Sequence, residues 1–203
     1  MPIQSLFPTL LYRADAAGAG VLNRQLEQAA LQLAGDDRTG AKWCERHGYA
    51  GYTSYGSISD LADRLPAFAK LERVIHRHAA LFAKALHWDL RGGKPRCDSM
   101  WVNVLPEGGS HSSHLHTNAV LSGVYYVTVP PGSGPIVFED PRHAMMMAAP
   151  PHKASAPREF KTTVSEAPAP GSLLLWESWL RHEVPLSRAE TLRISISFNC
   201  VIG

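Results

Sequence analysis

The sequence is poor in cysteine, has no long apolar run and carries almost no net charge, and each shortage removes a class of protein. Cys44, Cys97 and Cys200 are its three cysteines, far apart and without a Cys-x-x-Cys pair. An odd number at such spacing builds neither a disulfide framework nor a thiolate zinc site. It favours a reducing cytoplasm, where the thiols serve as small buried apolar groups. No stretch approaches the roughly twenty apolar residues that a membrane span needs. The first residues lack the basic start, apolar run and small-residue cleavage site of a secretion signal, so export is not expected. A formal charge of +2 gives no reason to expect nucleic acid or an anionic membrane as partner. The basic cluster of Arg91, Lys94 and Arg96 reads as a solvated loop.

What remains is an ordinary globular balance, 45% apolar and 19% charged over 203 residues, enough for one domain with a sizeable core. The pattern changes midway. Residues 19–33 set Leu22, Leu26, Ala29, Ala30 and Leu33 on one helical face. A Gly- and Tyr-rich stretch at 40–57 reads as loop. A second helix is expected from Pro66 to about residue 87, with Leu71, Val74, Ile75, His78, Leu81, Phe82 and Leu86 as its stripe. After Gly92-Gly93, residues 99–105, 119–129, 136–138, 172–176 and 193–201 are short, rich in β-branched and aromatic side chains, and bounded by Gly or Pro. They read as strands. In the last of them Ile194, Ile196 and Phe198 alternate with Ser195, Ser197 and Asn199. Several such strands without helices between them point to a small barrel or double-sheet jelly roll whose polar face lines a cavity. Residues 143–170, with Met145-Met146-Met147 and repeated prolines, read as a cover over a site or as a passive excursion.

The ten histidines divide by context. His76, His78 and His87 belong to the second helix and read as packing or surface groups. His87-Trp88-Asp89 spells a metal pair, but it ends a helix and nothing holds both side chains on a common face, so it reads as a decoy. His114-Leu115-His116 precedes a strong strand. In an extended chain alternate residues project to the same side, and two converging imidazoles suit a first-row divalent metal. His182, after the run 171–180, is the third candidate by combination with that pair. His111 stands at an odd separation and reads as a neighbour or gate. Arg193 and Ser195 share one face of the last strand. A guanidinium facing inward needs an anion, either a bound carboxylate or an internal acid such as Glu139 or Asp140.

Taken in order, His114-x-His116, Leu121-Ser122-Gly123-Val124-Tyr125-Tyr126-Val127, Phe138-Glu139-Asp140-Pro141-Arg142, His182-Glu183-Val184 and Arg193-x-Ser195-Ile196-Ser197-Phe198-Asn199 resemble the iron(II)/2-oxoglutarate-dependent oxygenases. The likeness is strongest to a bacterial and phage branch related to the prolyl hydroxylases, and covers about residues 101–201. It implies a single oxygenase domain over 1–203, with 1–92 as helical support and 93–203 as a double-stranded β-helix (jelly roll, cupin-like). His114 and His182 would be the family's two histidine ligands to Fe(II), and His116 stands where its usual carboxylate falls. Arg193 and Ser195, with Tyr126 from the facing strand, would bind the distal carboxylate of 2-oxoglutarate. Trp101, Asn103, His111 and Arg142 are candidates for the substrate side or for support just behind the ligands. The implied reaction is hydroxylation of a C–H bond in a small-molecule or peptidyl substrate, with dioxygen consumed. A three-histidine iron dioxygenase acting without 2-oxoglutarate, or a non-catalytic metal-binding jelly roll, are the alternatives. Arg193-x-Ser195 favours the first reading, since neither alternative needs a second anion anchor.

Overall fold

The computed structural model describes residues 3–203. The chain opens with strand β1 (Leu11–Asp15), followed by helices α1 (Ala19–Asp36) and α2 (Arg38–Arg46). A two-residue strand β2 (Tyr52–Thr53) and a short helix α3 (Leu61–Arg64) lead into α4 (Pro66–Ala85), which starts on its proline. Strands then dominate: β3 (Pro95–Leu105), β4 (His111–His114), β5 (Leu121–Thr128), β6 (Ile136–Glu139) and β7 (Thr163–Glu166). β8 (Ser172–Glu177), β9 (His182–Val184) and β10 (Arg193–Ile202) complete them. None of the described helices is long and apolar enough to cross a membrane.

The strands form two facing antiparallel sheets, β1-β8-β5-β10-β3-β2 and β4-β9-β6-β7. Together they make the double-stranded β-helix expected for residues 93–203. Period-two alternation sorts the major sheet's side chains. Val102, Tyr125, Leu173, Leu175, Ile194, Ile196 and Phe198 pack outward against Leu26, Phe68, Leu71, Ile75 and Phe82 of α1 and α4. Val124, Tyr126, Leu174 and Trp176 point the other way, against Ile136, Phe138, Leu180 and Val184. Gly123 lets β5 lie close to its neighbours: a Cβ there would sit 2.6 Å from the Leu174 carbonyl oxygen and collide with the Phe198 ring.

The first half holds more sheet than its sequence pattern implies. β1 pairs with β8 along Leu11↔Trp176 to Asp15↔Ser172, and β2 pairs with β3 through Tyr52↔Val104 and Thr53↔Asn103. The stretch read as a loop at 40–57 contains most of α2 and all of β2. Of the two readings of residues 143–170, the cover finds no support. These residues hold two 3-10 turns and β7, which pairs with β6, and none of them lines the two cavities described below. Met145 and Met147 are 75% and 94% exposed.

Candidate active site

β4 and β9 are neighbours in the minor sheet, with His114 opposite His182 in the register. His116 follows two residues beyond β4, its amide donating to the Ser178 carbonyl at 3.0 Å. The three rings converge: centroids are 4.4 Å apart for His114–His182, 5.1 Å for His114–His116 and 5.4 Å for His116–His182. One nitrogen from each lies within 4.8 Å of the others, close enough to share a single cation. Among the described residues no carboxylate joins the cluster. His87-x-Asp89 is not part of it, as its position at the end of a helix implied.

Local contacts fix which nitrogen is free. His114 Nδ1 lies 2.7 Å from the Ser112 carbonyl and His182 Nδ1 3.0 Å from the Leu180 carbonyl. A carbonyl only accepts, so each Nδ1 carries the proton and each Nε2 keeps its lone pair. Burial, followed by the charge of His114, pushes His182 down to about 3 and His116 down to about 4. Both are neutral at pH 7, the form that ligates metal. Three imidazoles without thiolate suit a borderline first-row ion such as iron.

Beyond the histidines, on the inner face of β10, lies the buried Arg193, with 1% of its surface exposed. Its Nη1 reaches the Ser195 hydroxyl at 3.5 Å, and its Cζ sits 5.3 Å from the centre of the Tyr126 ring. No ion pair reaches it among the described residues. Asp140, a possible internal partner, is taken by Arg142, and Glu139 makes no ion pair there. Arg193 Nε, Tyr126 Oη and Trp176 Nε1 are buried without hydrogen-bond partners. Burial lowers the Arg193 pKa and raises that of the Tyr126 phenol to about 12, so Tyr126 keeps its proton. A cation and two unpartnered donors line a chamber that holds no Asp or Glu, which is the arrangement a bound carboxylate completes.

The chamber is lined by Trp101, His111, Tyr126, Trp176, Arg193 and Ser195, among others, together with the three converging histidines. Trp101 leans on His116 at 5.9 Å. His111, the expected neighbour, is held by the Tyr49 hydroxyl at 3.2 Å. Burial, then the nearby Arg193 charge, pushes it down to about 3. Two of the weaker candidates do not reach the chamber, though Asn103 bonds Ser197 of its lining. Asn103 does not line the chamber, because its amide is spent on Thr53 and Ser197 at 2.9 Å each. Arg142 lies outside it, exposed and paired bidentately with Asp140. Nothing in the sequence marks Tyr49 or Trp176 as a residue of the site. Tyr49 sits in an irregular stretch with no local signal, while Trp176, on the same face of β8 as Leu174, carries only the signal of alternation.

Residues 99–199 match the family model described as "Putative 2OG-Fe(II) oxygenase". No curated protein is significantly similar to the chain. Among solved structures, the chain covers 57% of an oxidoreductase of the 2OG-Fe(II) oxygenase family from Burkholderia pseudomallei, at 17% identity over 68% of its own length (TM-score 0.48). Similarity extends further with the epimerase SnoN of nogalamycin biosynthesis, solved with Fe3+, alpha ketoglutarate and nogalamycin RO. There identity is 14%, coverage is 95% of this chain and 79% of that one, and the TM-score is 0.63. A Pseudomonas putida prolyl-4-hydroxylase gives 13% identity, 94% and 92% coverage, and a TM-score of 0.55. The matched span contains the converging histidines and the buried arginine on the double-stranded β-helix, and the chain belongs to the iron(II)/2-oxoglutarate-dependent oxygenases, enzymes that use both as cofactor and co-substrate.

Proposed function

We propose that His114, His116 and His182 hold the iron, that Arg193, Ser195 and Tyr126 anchor the distal carboxylate of 2-oxoglutarate, and that the enzyme hydroxylates a C–H bond of a small-molecule or peptidyl substrate. The uncompensated guanidinium of Arg193, in the same chamber as the three imidazoles, carries this reading. Bound iron supplies the activation of dioxygen that couples decarboxylation of the 2-oxo acid, to succinate and carbon dioxide, with insertion of oxygen into the substrate.

The chain's own tasks follow from its residues. The Ser112 and Leu180 carbonyls hold His114 and His182 in the tautomer that offers Nε2. Arg193 donates to the distal carboxylate, and Tyr126 and Ser195 add neutral donors beside it. Trp101, Trp176 and Phe138 surround the histidines with apolar surface that excludes water. With His116 where the family's carboxylate falls, all three protein ligands are neutral and the centre keeps the full charge of the ion. Free thiols at Cys44, Cys97 and Cys200 support a cytoplasmic setting.

The test is anaerobic addition of iron(II) and 2-oxoglutarate, read as a visible charge-transfer band, followed by succinate release in air. His182→Ala is expected to lose both iron and band. Arg193→Ala is expected to keep iron and raise the 2-oxoglutarate KM by roughly a hundredfold, the loss of one charged bidentate contact. An unchanged KM in Arg193→Ala would remove the anion anchor and favour a three-histidine dioxygenase that needs no co-substrate.

A further inference from the structure

His116 is a wall between two spaces. On its inner side is the chamber with Arg193; on its outer side is a wider groove of about 650 Å3, within the range of small-ligand pockets. Trp88, Trp179, Leu115 and Ile202 give that groove its apolar surface, and Trp179 and Leu115 are 45% and 36% exposed. Its charged side chains are Asp89 and Glu177; no Lys or Arg lines it. Among the described residues neither carboxylate has an ion-pair partner. Two indoles beside two carboxylates without ion-pair partners, Asp89 accepting only the Arg91 amide at 3.1 Å, attract a cationic group attached to an apolar stem. The rings contribute through their quadrupoles and the acids through charge.

The groove is also tied mechanically to the histidines. Glu177 and Trp179 flank Ser178, whose carbonyl accepts from the His116 amide and whose hydroxyl bonds Ser122 at 2.8 Å. Leu115, between the two histidines of the motif, lines the groove. His116 lines it too, so the groove borders the metal site. Trp88 and Asp89 enter from the end of α4; the sequence pair that fails as a metal motif contributes here its tryptophan and its acid.

Resting on the iron reading above, we infer that this groove is the seat of the primary substrate, and that the substrate carries an ammonium or guanidinium head on an aliphatic stem. The cation lies between Trp88, Trp179, Asp89 and Glu177, and the stem runs along the groove toward His116.

Calorimetric titration with Nα-acetyl-lysine methylamide, against the uncharged Nα-acetyl-norleucine methylamide and the anionic Nα-acetyl-glutamate methylamide, tests the inference. The lysine probe is expected to bind roughly tenfold more tightly than norleucine, with glutamate weakest. Glu177→Gln, nearly isosteric, and Trp179→Leu, at an exposed site, are each expected to erase most of that preference. n-Hexylamine, run alongside, separates a free amine from a peptidyl one. Equal binding of the lysine and norleucine probes, or an undiminished preference in both variants, overturns the inference. The titration is run on metal-free and iron-loaded protein alike, so the groove is judged without the metal, while the charge-transfer band judges the metal centre by itself.

Discussion

Arg193 is buried without an internal acid, a state that costs several kcal/mol until a ligand offsets it, on the general scale of about 1–4 kcal/mol gained when buried charges are replaced by apolar groups. Arg193→Met should therefore raise the melting temperature of the ligand-free protein while abolishing the stabilisation that 2-oxoglutarate gives the native one. That stabilisation amounts to about 2.7 kcal/mol at a hundred times Kd. Thermal unfolding with and without the diacid checks both halves; a less stable apo variant would mean that the guanidinium is satisfied in the free protein. This residue was legible in the sequence because alternation alone put Arg193 and Ser195 on the face opposite Ile194. Asn103 shares its face of β3 with Trp101, which lines the chamber, but nothing in the sequence tells that Thr53 and Ser197 claim its amide. The third histidine is similar in kind. His182 meets His114 through the β4–β9 register, a long-range fact that period and spacing do not contain.

At the scale of elements, α2 is the clearest case of structure set by a single side chain. Its nine residues are too few to hold a helix by propensity, and Asp37 caps it by accepting from the Gly40 amide at 2.9 Å. The same carboxylate takes hydrogen bonds from Ser57 and Tyr52, joining the helix to the turn and to β2. Burial pushes the Asp37 carboxyl up, but these hydrogen bonds outweigh it and hold the carboxyl below its ordinary value. A depressed folded pKa adds stability above the unfolded pKa and loses it as pH falls through the folded one, so this contribution fades below about pH 4. Asp37→Ala is expected to destabilise the protein by about 0.5–2 kcal/mol at pH 7 and by less at pH 3, measured by urea unfolding. A penalty equal at both pH values would refute the capping account. Long, strongly patterned elements such as α1, α4, β5 and β10 could be read from their residues. α2, β2, β4 and β9 could not, because two to nine residues carry too little periodicity and their pairings are supplied by the rest of the fold.

For the molecule as a whole, the expected division at residue 92 is one of pattern and not of folding unit. Leu26, Phe68, Leu71, Ile75 and Phe82 come from the first half, yet they share one buried cluster with Val102, Tyr125, Leu173, Ile194, Ile196 and Phe198 of the second. Burying one large apolar side chain contributes about 1.5–3 kcal/mol. Stripping five or six such partners from the outer face of the major sheet therefore removes about 7–18 kcal/mol, as much as the roughly 5–15 kcal/mol that keeps a domain folded. β1 adds to this, since without it the edge of β8 lies open along five residues. The full chain is thus expected to unfold in one transition by far- and near-ultraviolet circular dichroism, and the fragment 93–203, though it contains every residue assigned to iron and 2-oxoglutarate, to be aggregated or molten and to form no charge-transfer band. A soluble fragment with a cooperative transition of its own would make the helical half an accessory to an independent jelly roll, and would move the source of the active site's rigidity from the shared core to the two sheets alone.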